Sequence, residues 1–318
     1  MTDKKKVANE AQKKRVVPRK GATTREVKKK GNVQPTVVVG KRKTGTVKGV
    51  AKLSGAKKVW INPGKFQMGS PANEPGRWLS EKQHWVKLSR GFWMWQTEVT
   101  QGQFQAVMGY NPSYFSKCGP NCPVERLSWH EAVAFVHKLS KKQGKESCFI
   151  CWGEKQKVKC KIRREFVGKN VYKCRGWRLP TEAEWEYAYR AGSSTPFYTG
   201  RCLSTGDANY HGNYPQKGCP KGVYRRKTTT VKSFRANQWG LYDMAGNVWE
   251  WCWDWYGTYP SETLVTNPAG PSKGSDRVRR GGSWEYYAWD ARAADRLRFR
   301  PSWYHFALGF RPVVGSGH

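Results

Sequence analysis

Apolar positions recur at helical spacing in three stretches of the chain, each behind a polar start. In TEVTQGQFQAVMG, Thr100 stands three residues before Gln103, and Phe104, Val107 and Met108 share one face. In LSWHEAVAFVHKL, Ser128 precedes Glu131 by three, and Trp129, Ala132, Val133, Val136 and Leu139 follow the period. In LPTEAEWEYAYRAG, Thr181 precedes Glu184 ahead of Trp185 and Ala188. A hydroxyl residue with Glu or Gln three positions on satisfies two otherwise orphaned amides, so this spacing predicts three helix starts. VWINPGKFQMGS, which alternates apolar and turn residues, predicts a strand and a turn. Past Gly192 the helical period disappears. The chain becomes rich in Gly, Asn, Pro, Trp and Tyr, as in GLYDMAGNVWEWCWDWY, which predicts loops and short strands. The pattern as a whole is an α+β chain with a large irregular part.

Length and charge refine this picture. A chain of 318 residues can bury a substantial core. Aromatic residues make up 14%, with 17 Trp, yet the mean hydropathy is −0.80 and the formal net charge is +35. Large rings are therefore set in a basic surface, whose natural partners are polyanions. Residues 1–58 hold 19 Lys and Arg against 3 Asp and Glu and no aromatic residue. A segment so charged and so poor in apolar anchors cannot offset the entropy of ordering. Residues 1–57 are thus expected to be a disordered basic tail, TVVVG a short strand within it at most, and 58–318 one folded domain. The tail suits nucleic acid or another polyanion, or serves simply as a solubilising arm. No apolar run approaches the length of a membrane span, and the first thirty residues lack the apolar stretch of a secretory signal, which favours a cytoplasmic or phage-associated product.

Seven motifs carry a resemblance. GKFQMGS, TEVTQGQFQAVMG, NCPVERLSWHEAVAF, WRLPTEAEWEYAYRAG, GLYDMAGNVWEWCWDWY, RVRRGGSW and LGFRPV occur in the order found in the formylglycine-generating-enzyme (sulfatase-modifying factor) superfamily. The resemblance spans roughly residues 58–314 and implies a C-type-lectin-like fold with limited regular structure. It does not by itself imply the enzyme. The oxidase members carry a catalytic cysteine pair just after GGS, where thiolates bind copper. Here no Cys lies beyond Cys252, so no copper site and no oxidase activity are expected. Sulfoxide-synthase relatives require an iron site of several histidines. This chain has six His, and His130 and His137 read as packing or surface residues.

The segment from Arg280 to Val314, RGGSWEYYAWDARAADRLRFRPSWYHFALGFRPV, resembles the variable region of ligand-binding proteins diversified by diversity-generating retroelements. In those systems a reverse transcriptase copies a template repeat with changes at adenines. Asn codons so altered become Tyr, Asp, His, Phe, Leu or Ala. Such residues stand at Tyr286, Tyr287, Asp290, Asp295, Leu297, Phe299, Tyr304, His305, Phe306 and Ala307. Trp303 joins them as a candidate contact, although neither it nor Glu285 can arise from an Asn codon. The residue types agree independently. Tyr and Trp give wide amphipathic contact at low entropic cost, and Arg292, Arg296, Arg298, Arg300 and Arg311 would add forked donors. Trp284, Trp289 and Phe310, inside the framework motifs, are expected in the core, whereas WYHFA (303–307) keeps neither strand nor helix period and is expected at the surface.

The resemblance also implies a calcium site at Asp243, Gly246, Val248 and Glu250, two carboxylates with two carbonyls, as against a structural hydrogen-bonding role. A second calcium site, beginning at Asn209 and Tyr210, has no convincing acidic counterpart. Cys148, Cys151, Cys160 and Cys174 allow a zinc reading, though the intervening sequence looks like a hairpin insertion. Cys118 and Cys122 flank a tight turn and would close a local disulfide in an oxidising compartment. The resulting expectation is a non-enzymatic receptor for an unidentified protein or surface ligand. The alternatives are a superfamily member with lost or altered catalysis, or a nucleic-acid-associated protein acting through its tail.

Overall fold

The computed structural model describes residues 56–316, so the expectations for the basic tail up to residue 55 lie outside the described residues. Order opens with β1 (Lys58–Ile61), and the carbonyl of Lys57 accepts from the amide of Gln96. β2 (Gly64–Met68) and β3 (His84–Leu88) form a hairpin-like pair that β9 (Leu264–Thr266) extends in parallel. β1 pairs antiparallel with β4 (Phe92–Trp95). The last strand, β13 (Val313–Gly315), lies between β4 and β7 (Trp177–Arg178) and closes a four-stranded sheet.

All three predicted helices form, each with a complete capping box: α1 (Gln101–Met108) behind Thr100, α2 (Trp129–Lys142) behind Ser128 and α3 (Glu182–Arg190) behind Thr181. The motif is legible because it is local, within four residues. Among the described residues no helix is long and apolar enough to cross a membrane.

β5 (Phe149–Trp152) and β6 (Lys159–Ile162) make a separate ribbon. The stretch from residue 193 to 248 carries neither helix nor named strand, as the loss of period predicts. Order resumes in a second four-stranded sheet built from β8 (Trp249–Trp255), β10 (Arg277–Arg280), β11 (Arg296–Phe299) and β12 (Leu308–Gly309), in the order β11-β10-β8-β12. Trp129, Trp177, Trp185, Trp249, Trp251 and Trp253 are fully buried and form the heavy centre of the core. The fold is α+β.

Both ends of the segment 280–314 are therefore sheet strands, β10 at its start and β13 at its end. The glycines of RGGSW have a steric reason: Gly281 and Gly282 sit at φ +99° and +71°. A Cβ on Gly282 would come within 2.9 Å of Ala291, and one on Gly281 within 3.0 Å of Trp185.

Eight of the nine cysteines are paired, as Cys118–Cys122, Cys148–Cys174, Cys151–Cys160 and Cys202–Cys219. This corrects the zinc reading: the four cysteines of 148–174 are consumed in two crosslinks. His130 accepts from the Cys160 amide and His137 bonds the Ser147 hydroxyl, which are packing roles.

A candidate ligand-binding face

The segment 280–314 is held from behind by ion pairs. Arg280 bonds Glu186. Arg292 reaches Glu74 at 2.6 Å and both oxygens of Glu81 at 2.8 Å. Arg296 forks onto Glu182 with two bonds of 2.7 Å, and Arg311 binds Glu250 at 2.7 Å. All these side chains are buried. Burial pushes the Glu182 carboxyl up, but Arg296 and Arg280 together bring it below its ordinary value. Arg292, Arg296 and Arg311 are thus corrected from ligand donors to internal struts: a guanidinium fork satisfies a buried carboxylate with paired bonds. Arg298 and Arg300 remain exposed.

Three expected surface positions are also interior. Asp290 accepts from the Tyr287 amide and caps the short 3-10 turn at 288–291. Asp295 accepts from the Trp78 indole at 3.0 Å and pairs with Arg292. Ala307 is fully buried and its carbonyl accepts from Trp249. Short carboxylates and a methyl group are small enough to serve the interior here, which their residue types alone do not disclose. Tyr286, Leu297 and Phe299 are half-buried, packed partly on the core, with Tyr286 edge-on to Trp249 at 5.3 Å. Of the expected core residues, Trp284 and Phe310 are buried while Trp289 is half-buried.

Beside the exposed Arg298 and Arg300, the outward side chains of residues 303–306 are aromatic. Trp303 and Tyr304 are 47% and 54% exposed, and His305 and Phe306 are half-buried beside them. The main chain beneath them is fixed. The carbonyl of His305 accepts from Arg126, and that of Pro301 accepts from Trp129 at the start of α2.

The rings form a continuous belt. Phe299 contacts Trp303 at 5.6 Å, and His305 stacks on Phe306 at 4.2 Å. Phe306 meets Tyr114 at 5.6 Å and Trp284 at 5.8 Å. Trp284 faces Tyr224, Tyr224 stacks on His211 at 3.6 Å, and Tyr214 lies 4.4 Å from Tyr287, which contacts Trp289. Tyr114, His211, Tyr214 and Tyr224 come from loops that sequence reasoning passed over. Their only signal is ring-rich, aperiodic sequence such as NPSYF and NYHGNY.

Arg126 approaches the ring of Tyr304 and Arg226 that of Tyr224, so the belt has a cationic rim. His305 Nδ1 lies 3.3 Å from Glu285 Oε1. Burial pushes the Glu285 carboxyl up to about 7, against the pull of Arg279. Such a face can offer flat apolar contact, cation–π partners and one carboxylate that titrates near neutrality.

The positions of the implied calcium site, Asp243, Gly246, Val248 and Glu250, are all buried. Glu250 is committed, since its oxygens accept from Arg311 and from the Trp185 indole. Asp243 differs. One oxygen accepts from the Lys232 amide, whereas the buried Oδ1 has no partner, and burial pushes its carboxyl up to about 6. Glu98 Oε1 is likewise buried without a partner, and its carboxyl is raised well above the ordinary value by burial and by Asp243. Asp243 therefore suits a hard cation and Glu250, occupied by a guanidinium, does not. The quartet as a whole does not fit calcium in this arrangement.

Comparison with known proteins places the chain. Its residues 43–315 match the sulfatase-modifying factor enzyme 1-like domain. It is 34% identical over 201 residues to the formylglycine-generating enzyme of Streptomyces coelicolor, covering 60% of this chain and 52% of that one. It is 30% identical over 207 residues to the chaperone protein LppX of Paenibacillus barcinonensis, covering 61% and 69%. The chain thus spans about half the length of the Streptomyces enzyme. Among solved structures, Treponema denticola variable protein 1 superposes with a TM-score of 0.68 at 30% identity, over 86% of this chain and 99% of that one. Matched over most of its length, the chain belongs to the sulfatase-modifying factor enzyme 1-like family.

Proposed function

We propose that the protein is a non-enzymatic receptor whose aromatic belt binds a protein or surface ligand, and that this face is diversified by adenine-directed retroelement mutagenesis. The observation that carries this reading is a run of touching rings, most of them partly exposed and joined through the buried Trp284, on a main chain pinned by buried arginines. Side chains there can change while the backbone stays, so a few aromatic anchors suffice for a new ligand. The likeness to Treponema denticola variable protein 1 supports it.

Thiol chemistry adds support. The segment after GGS has no cysteine, and Cys252, the unpaired thiol among the described residues, is buried within β8 with its acidity weakened by burial and by Asp254. A buried, weakly acidic thiol makes a poor nucleophile or copper ligand. Eight paired cysteines suit an oxidising compartment.

The test is sequencing of the gene and its flanking DNA from sibling isolates. A near-copy of the 3′ end that differs at adenines is expected, with substitutions gathered at Tyr287, Tyr304, His305, Phe306 and their neighbours. Arg280, Arg292, Arg296 and Arg311 should be invariant. Variation spread evenly over the domain would overturn the reading.

A further inference from the structure

Between α2 and β7 the chain makes an excursion that the aromatic belt does not use. In the β5–β6 ribbon, Ile150 stands opposite Lys161 and Trp152 opposite Lys159. The two-residue period of a strand puts these four side chains on one face. All four are exposed, Ile150 by 47% and Trp152 by 54%, whereas Phe149, Val158 and Cys160 turn inward. A lone two-stranded ribbon is marginal in water. This one is crosslinked internally by Cys151–Cys160 and at its base by Cys148–Cys174. Residues 148–175 hold nine Lys and Arg against two acidic residues, and one of those, Glu165, is taken by Arg163 at 2.6 Å. Lys155 and Lys157 at the turn are exposed.

We propose that this stapled ribbon docks on a lipid bilayer bearing anionic phosphate headgroups, with its lysines against the phosphates and Trp152 and Ile150 entering the interface. Charge complementarity selects an anionic surface, and Trp settles at headgroup depth. Nucleic acid would engage the same lysines and could stack a base on Trp152, but it gains nothing from the exposed Ile150, whereas a bilayer interface takes up both apolar side chains. The four disulfides also suit a setting outside the reducing cytosol, where the anions met are those of surfaces.

The test uses the oxidised full-length protein in co-sedimentation with phosphatidylcholine vesicles, with and without phosphatidylglycerol, over a range of salt. Each lysine near an anionic surface adds about a fivefold gain. Joint replacement K155A/K157A/K159A/K161A should therefore weaken binding to the mixed vesicles by about 100-fold or more, with thermal unfolding unchanged because all four are exposed. Brominated lipid should quench less of the fluorescence of Trp152→Phe than of the wild type. Equal binding by the quadruple variant, equal binding to pure phosphatidylcholine, or equal quenching of Trp152→Phe would each overturn the proposal. So would tighter binding of single-stranded DNA through the same four lysines, which would make the ribbon a nucleic-acid arm.

Discussion

At Arg292 the chain places a full positive charge in the interior, fully buried between Glu74 and Glu81 with further bonds to the carbonyls of Gly76 and Trp289. Removing one member of such a set strands the others. Arg292→Ala should therefore cost about 3–5 kcal/mol in urea unfolding, the usual loss when a buried ion pair is broken. Trp303→Ser and Tyr304→Ser should each stay within about 0.5 kcal/mol, as exposed replacements do, while Phe310→Ala should cost about 3–5 kcal/mol through lost burial and a cavity. Losses at Trp303 and Tyr304 equal to that at Phe310 would mean that the belt is core. The contrast also explains what the sequence could disclose. Trp303 and Tyr304 follow Pro301 and break every period, which marks them as surface. Arg292 and Arg298 are indistinguishable by type, and the carboxylate that buries Arg292 lies 211 positions away at Glu81. Long-range pairing leaves no local trace, so struts and ligand donors look alike.

The elements divide in the same way. The three helices were legible because each capping box closes over four residues. β8 was legible only as a short strand in a ring-rich stretch, for it is buried on both faces and WEWCWDW shows no exposed alternation. Its Asp254 illustrates the consequence of that burial. One oxygen accepts from the Glu182 amide, and burial, reinforced by Glu182, pushes the carboxyl up to about 8. A carboxyl raised in the folded state holds its proton there while the unfolded chain has lost it, so stability falls as pH rises from about 4 toward about 8. Asp254→Asn keeps an acceptor for the amide and removes the titration. The variant should match the wild type near pH 4 and become progressively more stable than it up to about pH 8, by several kcal/mol at most. Denaturant unfolding at a series of pH values checks this, and parallel curves for the two proteins would show that Asp254 is ionised when folded.

Across the whole molecule, two kinds of constraint divide the labour. Sheets, helices and buried arginines hold the frame, while two disulfides staple the β5–β6 ribbon and two close irregular loops. Cys118–Cys122 closes the loop just after Tyr114 and Phe115, and Cys202–Cys219 closes the one that presents His211 and Tyr214 to the belt. The second crosslink can be tested apart from the frame. It spans 17 positions in a stretch with no helix or named strand, so its main effect is on the entropy of that loop. For a loop of this size the chain-entropy account gives about 3 kcal/mol. The double variant C202S/C219S should lose roughly that much, and amide exchange should rise through residues 203–226 while β8 and β10 keep their protection, because opening of the loop breaks no ladder bond. A belt organised by this crosslink would then also lose affinity for any selected ligand without losing its fold. Unchanged exchange in 203–226 would show that the stacking of His211 on Tyr224 and the hydrogen bonds around Gly212 and Gly222 suffice without it. Uniform loss of protection across β8 and β10 would instead make the loop part of the frame.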